Sequence, residues 1–71
     1  MFPLSLATIG QEYTVVKITG NDEVKHFLSN LGFVEDSKVE VVSTLNGDVI
    51  VNIKDSRIAI NQDMAKHILI K

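Results

Sequence analysis

Cysteine is absent from this 71-residue sequence. That absence removes a disulfide framework, a thiolate metal site and a cysteine nucleophile at once. Tryptophan is absent as well, and aromatic residues make up 6% of the chain, so aliphatic side chains must supply most of the packing. Proline occurs once and glycine four times. The glycines Gly10, Gly20, Gly32 and Gly47 stand apart from one another, and none opens a Lys-Ser/Thr pair, so no phosphate-cradling loop is present. No run approaches the ~20 apolar residues that a membrane helix needs. The opening Met1–Gly10 stretch has no basic residue and its apolar run is broken early, which does not make a signal peptide. A net charge of −2 leaves no electrostatic footprint for nucleic acid or for an anionic membrane surface. A small domain without disulfides fits a cytosolic setting.

What is present points to one folded unit over 1–71. The apolar share is 45%, enough for a globular core. At this length only roughly 60% of the unfolded chain's surface can be buried, which leaves no room for a second core or a deep enclosed cavity.

The densest local signal runs from Gly20 to Val42. Val24, Phe27, Leu28 and Leu31 follow the i, i+3, i+4, i+7 spacing of a single buried helical stripe. Asn21 is placed to cap the helix start, with Asp22 and Glu23 where the helix dipole is positive. Gly32 follows the last periodic residue, where a left-handed stop is expected, and Phe33 would pack back onto Leu28 as in a Schellman cap. Val34-Glu35-Asp36-Ser37 reads as a polar turn, and Lys38 to Leu45 as a β-branched strand. Asn46-Gly47 predicts a type I′ hairpin, which requires positive φ at both central residues. Val49, Val51 and Ile53 alternate on the return strand. Upstream, Gly10-Gln11-Glu12 is a turn leading into a strand over Tyr13–Thr19. Downstream, Lys54-Asp55-Ser56 is a turn and Arg57–Ile60 a short strand with Ile58 and Ile60 inward. Asn61 caps one helical turn through Met64 and Ala65, and His67–Lys71 closes the chain with Ile68 and Ile70 on one face. Five short strands and one main helix in this order predict a mainly β fold, a small bent antiparallel barrel. The helix stripe would plug one open end, since a sheet this small avoids sticky edges best by closing on itself.

Sites for chemistry are sparse. His26 lies on the polar helix face and His67 opens the last strand. Neither has a second ligand at metal-binding spacing, so no metal site and no cofactor are expected. The adjacent carboxylates Asp22-Glu23 and Glu35-Asp36 sit at a helix start and in a turn. Both places are solvated, whereas paired catalytic carboxylates need an enclosing pocket. Arg57, the only arginine, opens a strand beside a turn. Tyr13 and three phenylalanines cannot line a groove for proline-rich peptides. No enzyme is expected. Surface is what remains: Lys25, His26, Ser29 and Asn30 on the outer helix face, Val34 after the glycine stop, the hairpin tip at Leu45 and Asn46, and the Met1-Phe2-Pro3 start. These are the candidate partner-binding residues, with Leu28, Leu31, Gly32 and Phe33 as their structural support.

The segment LSNLGFVEDSKVEVV resembles the central signature of the FeoA-type ferrous iron transport proteins: a helix ending in Leu-Gly-Phe, a polar turn and a Val-rich strand. Leu4 to Gly10 is similar to that family's leading segment. Arg57-Ile58-Ala59-Ile60, Ala65, Ile68 and Ile70 are similar to its closing one. The resemblance implies an SH3-like barrel. It implies an accessory role in ferrous iron uptake, through contact with the cytoplasmic G-domain region of the FeoB membrane transporter, which would recruit the chain to the inner membrane face. Two other readings stand beside it: a regulatory module like the SH3-like domain of iron-dependent repressors, and a small metal-binding protein. Two features depart from the family pattern. Asp36 stands where members often have glycine, and Leu45-Asn46-Gly47-Asp48 replaces a hairpin that often carries proline.

Overall fold

The computed structural model describes residues 1–71. Six strands form one antiparallel sheet: β1 (Phe2–Pro3), β2 (Glu12–Ile18), β3 (Lys38–Leu45), β4 (Asp48–Ile53), β5 (Ser56–Asn61) and β6 (Ile68–Ile70). Their spatial order is β1-β6-β2-β3-β4-β5. Helix α1 spans Asp22–Asn30, α2 is the short Gln62–Ala65, and a 3-10 turn covers Leu4–Leu6. The count of strands is therefore six where the sequence predicts five. The extra one, β1, has two residues and is recognisable only through its partner: Phe2 lies opposite Ile70 and Pro3 opposite Leu69.

The last strand joins the start of the chain to its middle. β6 lies between β1 and β2, and Thr14 and Lys71 exchange both backbone bonds at 2.9 and 3.0 Å. The register shifts between Val15 and Lys17 in β2 and between Val41 and Ser43 in β3. Such bulges bend a strand and increase its twist, which lets one sheet wrap around a core. Fourteen buried residues fill that core, among them Val15, Val39, Val41, Val49, Val51 and Ile53 from the alternating positions of β2, β3 and β4. Every buried side chain is apolar apart from the phenol of Tyr13. The Tyr13 hydroxyl accepts the Thr8 N–H at 2.9 Å, so the buried ring keeps a partner for its polar end.

Helix α1 begins and ends as its residues dictate. The Asn21 side chain accepts the Val24 N–H at 2.9 Å. At the other end the Gly32 N–H donates to the Ser29 carbonyl and the Phe33 N–H to the Leu28 carbonyl, each at 3.0 Å. This is the Schellman pattern, and it requires the positive φ of +108° that Gly32 adopts. The four-residue buried stripe is not realised. Only Leu28 is fully buried, Val24 and Leu31 are partly buried, and Phe27 leaves 48% of its surface exposed. At 100° per residue Phe27 stands on the flank of the stripe centred between Leu28 and Leu31. The helix therefore packs on the sheet through Leu28, with Val24 and Leu31 partly buried beside it and Phe27 at the rim, and does not plug the end with four buried side chains. Phe2 also differs from its expected surface position. It is partly buried and meets the Tyr13 ring edge-on, with centroids 5.6 Å apart.

Both two-residue hairpins have the type I′ sign at their centres: Asn46 and Gly47 at φ 52° and 88°, Lys54 and Asp55 at 49° and 65°. Asp36 takes φ 71°, the left-handed conformation that glycine would supply. Its N–H donates to the Val15 carbonyl at 2.8 Å, and the Val15 N–H donates to the Ser37 carbonyl at 2.8 Å. These two bonds fix the turn after Gly32 against the bulge of β2.

Candidate functional site

The α1 outer face emerges as the sequence predicts. Lys25, His26, Ser29 and Asn30 are all exposed. Asp22, Lys25, His26 and Ser29 line a shallow depression of about 360 Å³ with no apolar wall. Phe27 borders this face, one turn from Asn30 at i+3 and from Glu23 at i−4. A half-exposed aromatic ring beside polar neighbours supplies apolar area that association would bury favourably. Its helical spacing hid it among the core residues.

Val34 is half-buried, where the sequence predicts exposure, and it forms a wall of a wider open groove of about 720 Å³. The turn after α1, the starts of β2 and β3, the end of β4 and the Lys54-Asp55 turn surround this groove. Five carboxylates line it, those of Glu12, Glu35, Asp36, Glu40 and Asp55, against the two ammonium groups of Lys38 and Lys54. Glu12 and Glu40 lie directly opposite each other on β2 and β3, a like-charge pairing that disfavours the sheet. Lys38 does not relieve it: its Nζ donates to the Thr14 hydroxyl at 2.8 Å. The molecule's one ion pair is elsewhere, between Asp63 of α2 and Lys66 just after it, at 3.7 Å. The groove thus holds excess negative charge open to solvent. The β2–β3 register that brings Glu12 to Glu40 was the missing signal, since neither glutamate stands out in the linear sequence.

The hairpin tip does not join this surface. Leu45 is 63% exposed and Asn46 is exposed, but the tip terminates β3 at the end opposite Lys38, which follows the groove turn. Seven strand steps of ~3.3 Å separate the two ends, a length comparable to the 28 × 24 × 22 Å extents of the molecule. Val34, in the turn before β3, and the hairpin tip at Leu45 and Asn46 therefore lie at opposite ends of β3, and the Met1-Phe2-Pro3 start lies apart on β1.

His67 is half-buried, and its Nδ1 lies 3.2 Å from the Thr19 hydroxyl. The ring covers Gly20, where an added Cβ would approach Nδ1 to 3.2 Å. No three His, Asp or Glu side chains are grouped so as to hold an ion. Arg57 donates from Nε to the Asn52 side-chain oxygen at 3.2 Å, on the exposed surface. No helix is long and apolar enough to cross a membrane.

These features place an open, polar surface on a small bent β-sheet, and comparison with known proteins gives it a family. The protein of Methanocaldococcus jannaschii named "Putative Fe(2+) transport protein A" is 35% identical over 71 residues, covering all of this chain and 87% of that protein. The zinc-complexed FeoA of Stenotrophomonas maltophilia, described as a prokaryotic SH3 domain protein, superposes with a TM-score of 0.87 at 22% identity, over 100% of this chain and 91% of that one. A manganese-dependent transcriptional repressor in complex with manganese shares the fold at a TM-score of 0.88 and 19% identity, over 97% of this chain and 35% of the repressor. The fold is SH3-like and mainly β. The FeoA domain model matches residues 2–71, and the chain belongs to the FeoA family.

Proposed function

We propose that this protein is a non-enzymatic accessory factor of ferrous iron uptake, working by contact with the cytoplasmic G-domain region of a FeoB-type transporter. The observation that carries the reading is the match to the FeoA domain over nearly the whole chain. The kinship to an Fe(2+) transport protein supports the iron link. The likeness to a repressor, at its low identity, speaks to fold and not to ligand.

The surface supports a mechanism by binding. Both described depressions are open and lined mainly by polar side chains, which offers a partner a face and offers a small substrate no enclosure. The contact surface is the exposed side of α1, from Lys25 and His26 to Ser29 and Asn30, with Phe27 as its apolar element and Val34 at its edge. Such a surface acts by holding one state of its partner over another, and it shifts that equilibrium only by its difference in affinity for the two.

The test is binding of the purified protein to the transporter's cytoplasmic domain. Lys25→Glu and Val34→Asp should each weaken association, with circular dichroism as the folding control. The Val34 variant also needs a denaturation curve, because the side chain is half-buried. Folded variants that bind as tightly as the parent would remove this surface and leave Leu45 and Asn46 as the remaining candidates.

A further inference from the structure

The two edges of the sheet are unlike. β1 is two residues long and contains Pro3, both of which blunt an edge against further pairing. β5 at the other edge is six residues long, Ser56-Arg57-Ile58-Ala59-Ile60-Asn61. It contains no proline and no lysine, and its register with β4 runs through six pairs without a shift. The bulges of this sheet lie in β2 and β3, so no bulge twists the β5 edge away.

The hairpin geometry fixes which groups of β5 face outward. Ile53 and Ser56 flank the two-residue Lys54-Asp55 turn and therefore form a hydrogen-bonded pair. Alternation then assigns Val51 with Ile58 and Val49 with Ile60 to the same class. The main-chain groups of Arg57 and Ala59 point away from β4, and none of the backbone bonds outside the regular ladders involves them. Their side chains are exposed as well.

We propose that the β5 edge pairs antiparallel with β5 of a second copy of this chain, about a twofold axis at Ala59. The edge is self-complementary in charge as well as in hydrogen bonding. With Ala59 opposite its own copy, the two alanines exchange both backbone bonds and no large side chain crowds the axis. Arg57 then faces the partner copy's Asn61, and Ile58 faces its Ile60. Behind that Asn61, in the same row of the sheet surface, stands Asp48, its register partner on β4. Two strand spacings of ~4.8 Å separate Arg57 from that aspartate, a span an extended arginine side chain covers once its Nε exchanges the intrachain bond to Asn52 for the aspartate. The twofold repeats the attraction, so two arginines face two aspartates and no like charges meet. Ile58, half-buried in the single chain, gains cover. Pairing through one strand buries less than the ~1,200 Å² of a stable standard interface, so the dimer is weak and concentration-dependent.

Sedimentation of the purified protein from about 10 μM to about 1 mM, a range that brackets weak self-association, tests this. The parent should shift from monomer toward dimer across the range. Ala59→Pro removes an outward N–H that no intrachain bond uses, and it should hold the protein monomeric throughout while circular dichroism stays native. Arg57→Glu should weaken dimerisation about tenfold, and adding Asp48→Lys should restore it. The charge pair remains decisive if the proline variant fails to fold. A parent monomeric at the highest concentration overturns the proposal, as does a dimer indifferent to both Ala59→Pro and the charge exchange. So does a β5 edge that pairs only with a segment of another protein, seen as loss of transporter binding in Ala59→Pro while the parent stays monomeric.

Discussion

At the residue scale, Gly32 concentrates most of what the fold asks of a single position. Its φ of +108° lies beyond the left-handed well that asparagine tolerates, and an added Cβ would come within 3.3 Å of the Lys54 Cδ. The lysine stem is flexible and can yield, so the strain is chiefly in the backbone. Gly32→Ala should lower stability by about 1–2 kcal/mol, and Gly32→Val by more. Urea denaturation checks this, and an unchanged midpoint would show that the cap can be remade without glycine. The stop itself was legible from Leu31-Gly32-Phe33, because local chemistry alone demands it. That the Lys54 stem lies over the glycine was not legible, since it depends on the distant β4–β5 hairpin folding back. Asn21 is a milder case: its side chain satisfies one helix N–H, and Asn21→Ala should cost about 1 kcal/mol.

At the scale of elements, α1 separates spacing from burial. Leu28 and Phe27 both belong to the apolar stripe read from sequence, yet the first is fully buried and the second is half exposed. Leu28→Ala should destabilise by about 2–5 kcal/mol. Phe27→Ala should cost well under half of that, measured by the same denaturation series. Equal losses would mean that the helix does pack with its whole stripe. Periodicity shows which side of a helix is apolar, but how far that side sinks depends on the sheet it meets. The two hairpins make a second comparison, because they share one turn geometry with different residues. Asn46-Gly47 suits the positive φ values, whereas Lys54 suits them poorly and Asp55 tolerates them less well than glycine would. Asp55→Gly should raise stability by about 0.5–1 kcal/mol, the relief of φ exceeding the entropy that glycine adds to the unfolded chain. Gly47→Ala, at φ 88°, should lower it. The Asn46-Gly47 turn could be read at sight. The positive φ of Lys54 and Asp55 is imposed by the strands on either side, which alternate strongly enough to fix the register.

At the scale of the whole molecule, the chain order of strands is easy to read and their spatial order is not. Each of β2 to β5 announces itself by alternation or a turn, while β1 is a two-residue strand that exists only because β6 arrives beside it. The same long-range closure sets Glu12 against Glu40 and gathers five carboxylates around one groove, a feature of the surface invisible along the sequence. It also divides the candidate docking residues, leaving Leu45 and Asn46 at the far end of the β3–β4 hairpin from Val34. In the proposed function, the α1 face and the turn after it meet a FeoB-type cytoplasmic domain. Amide chemical-shift mapping of the isotope-labelled protein during titration with that domain tests it most directly. Saturable shifts concentrated at residues 25–36 are expected, with Phe27 and Lys25 among the strongest and Leu45 and Asn46 unmoved. Shifts centred on the hairpin tip with α1 silent, or no shifts at all at saturating partner, would contradict it.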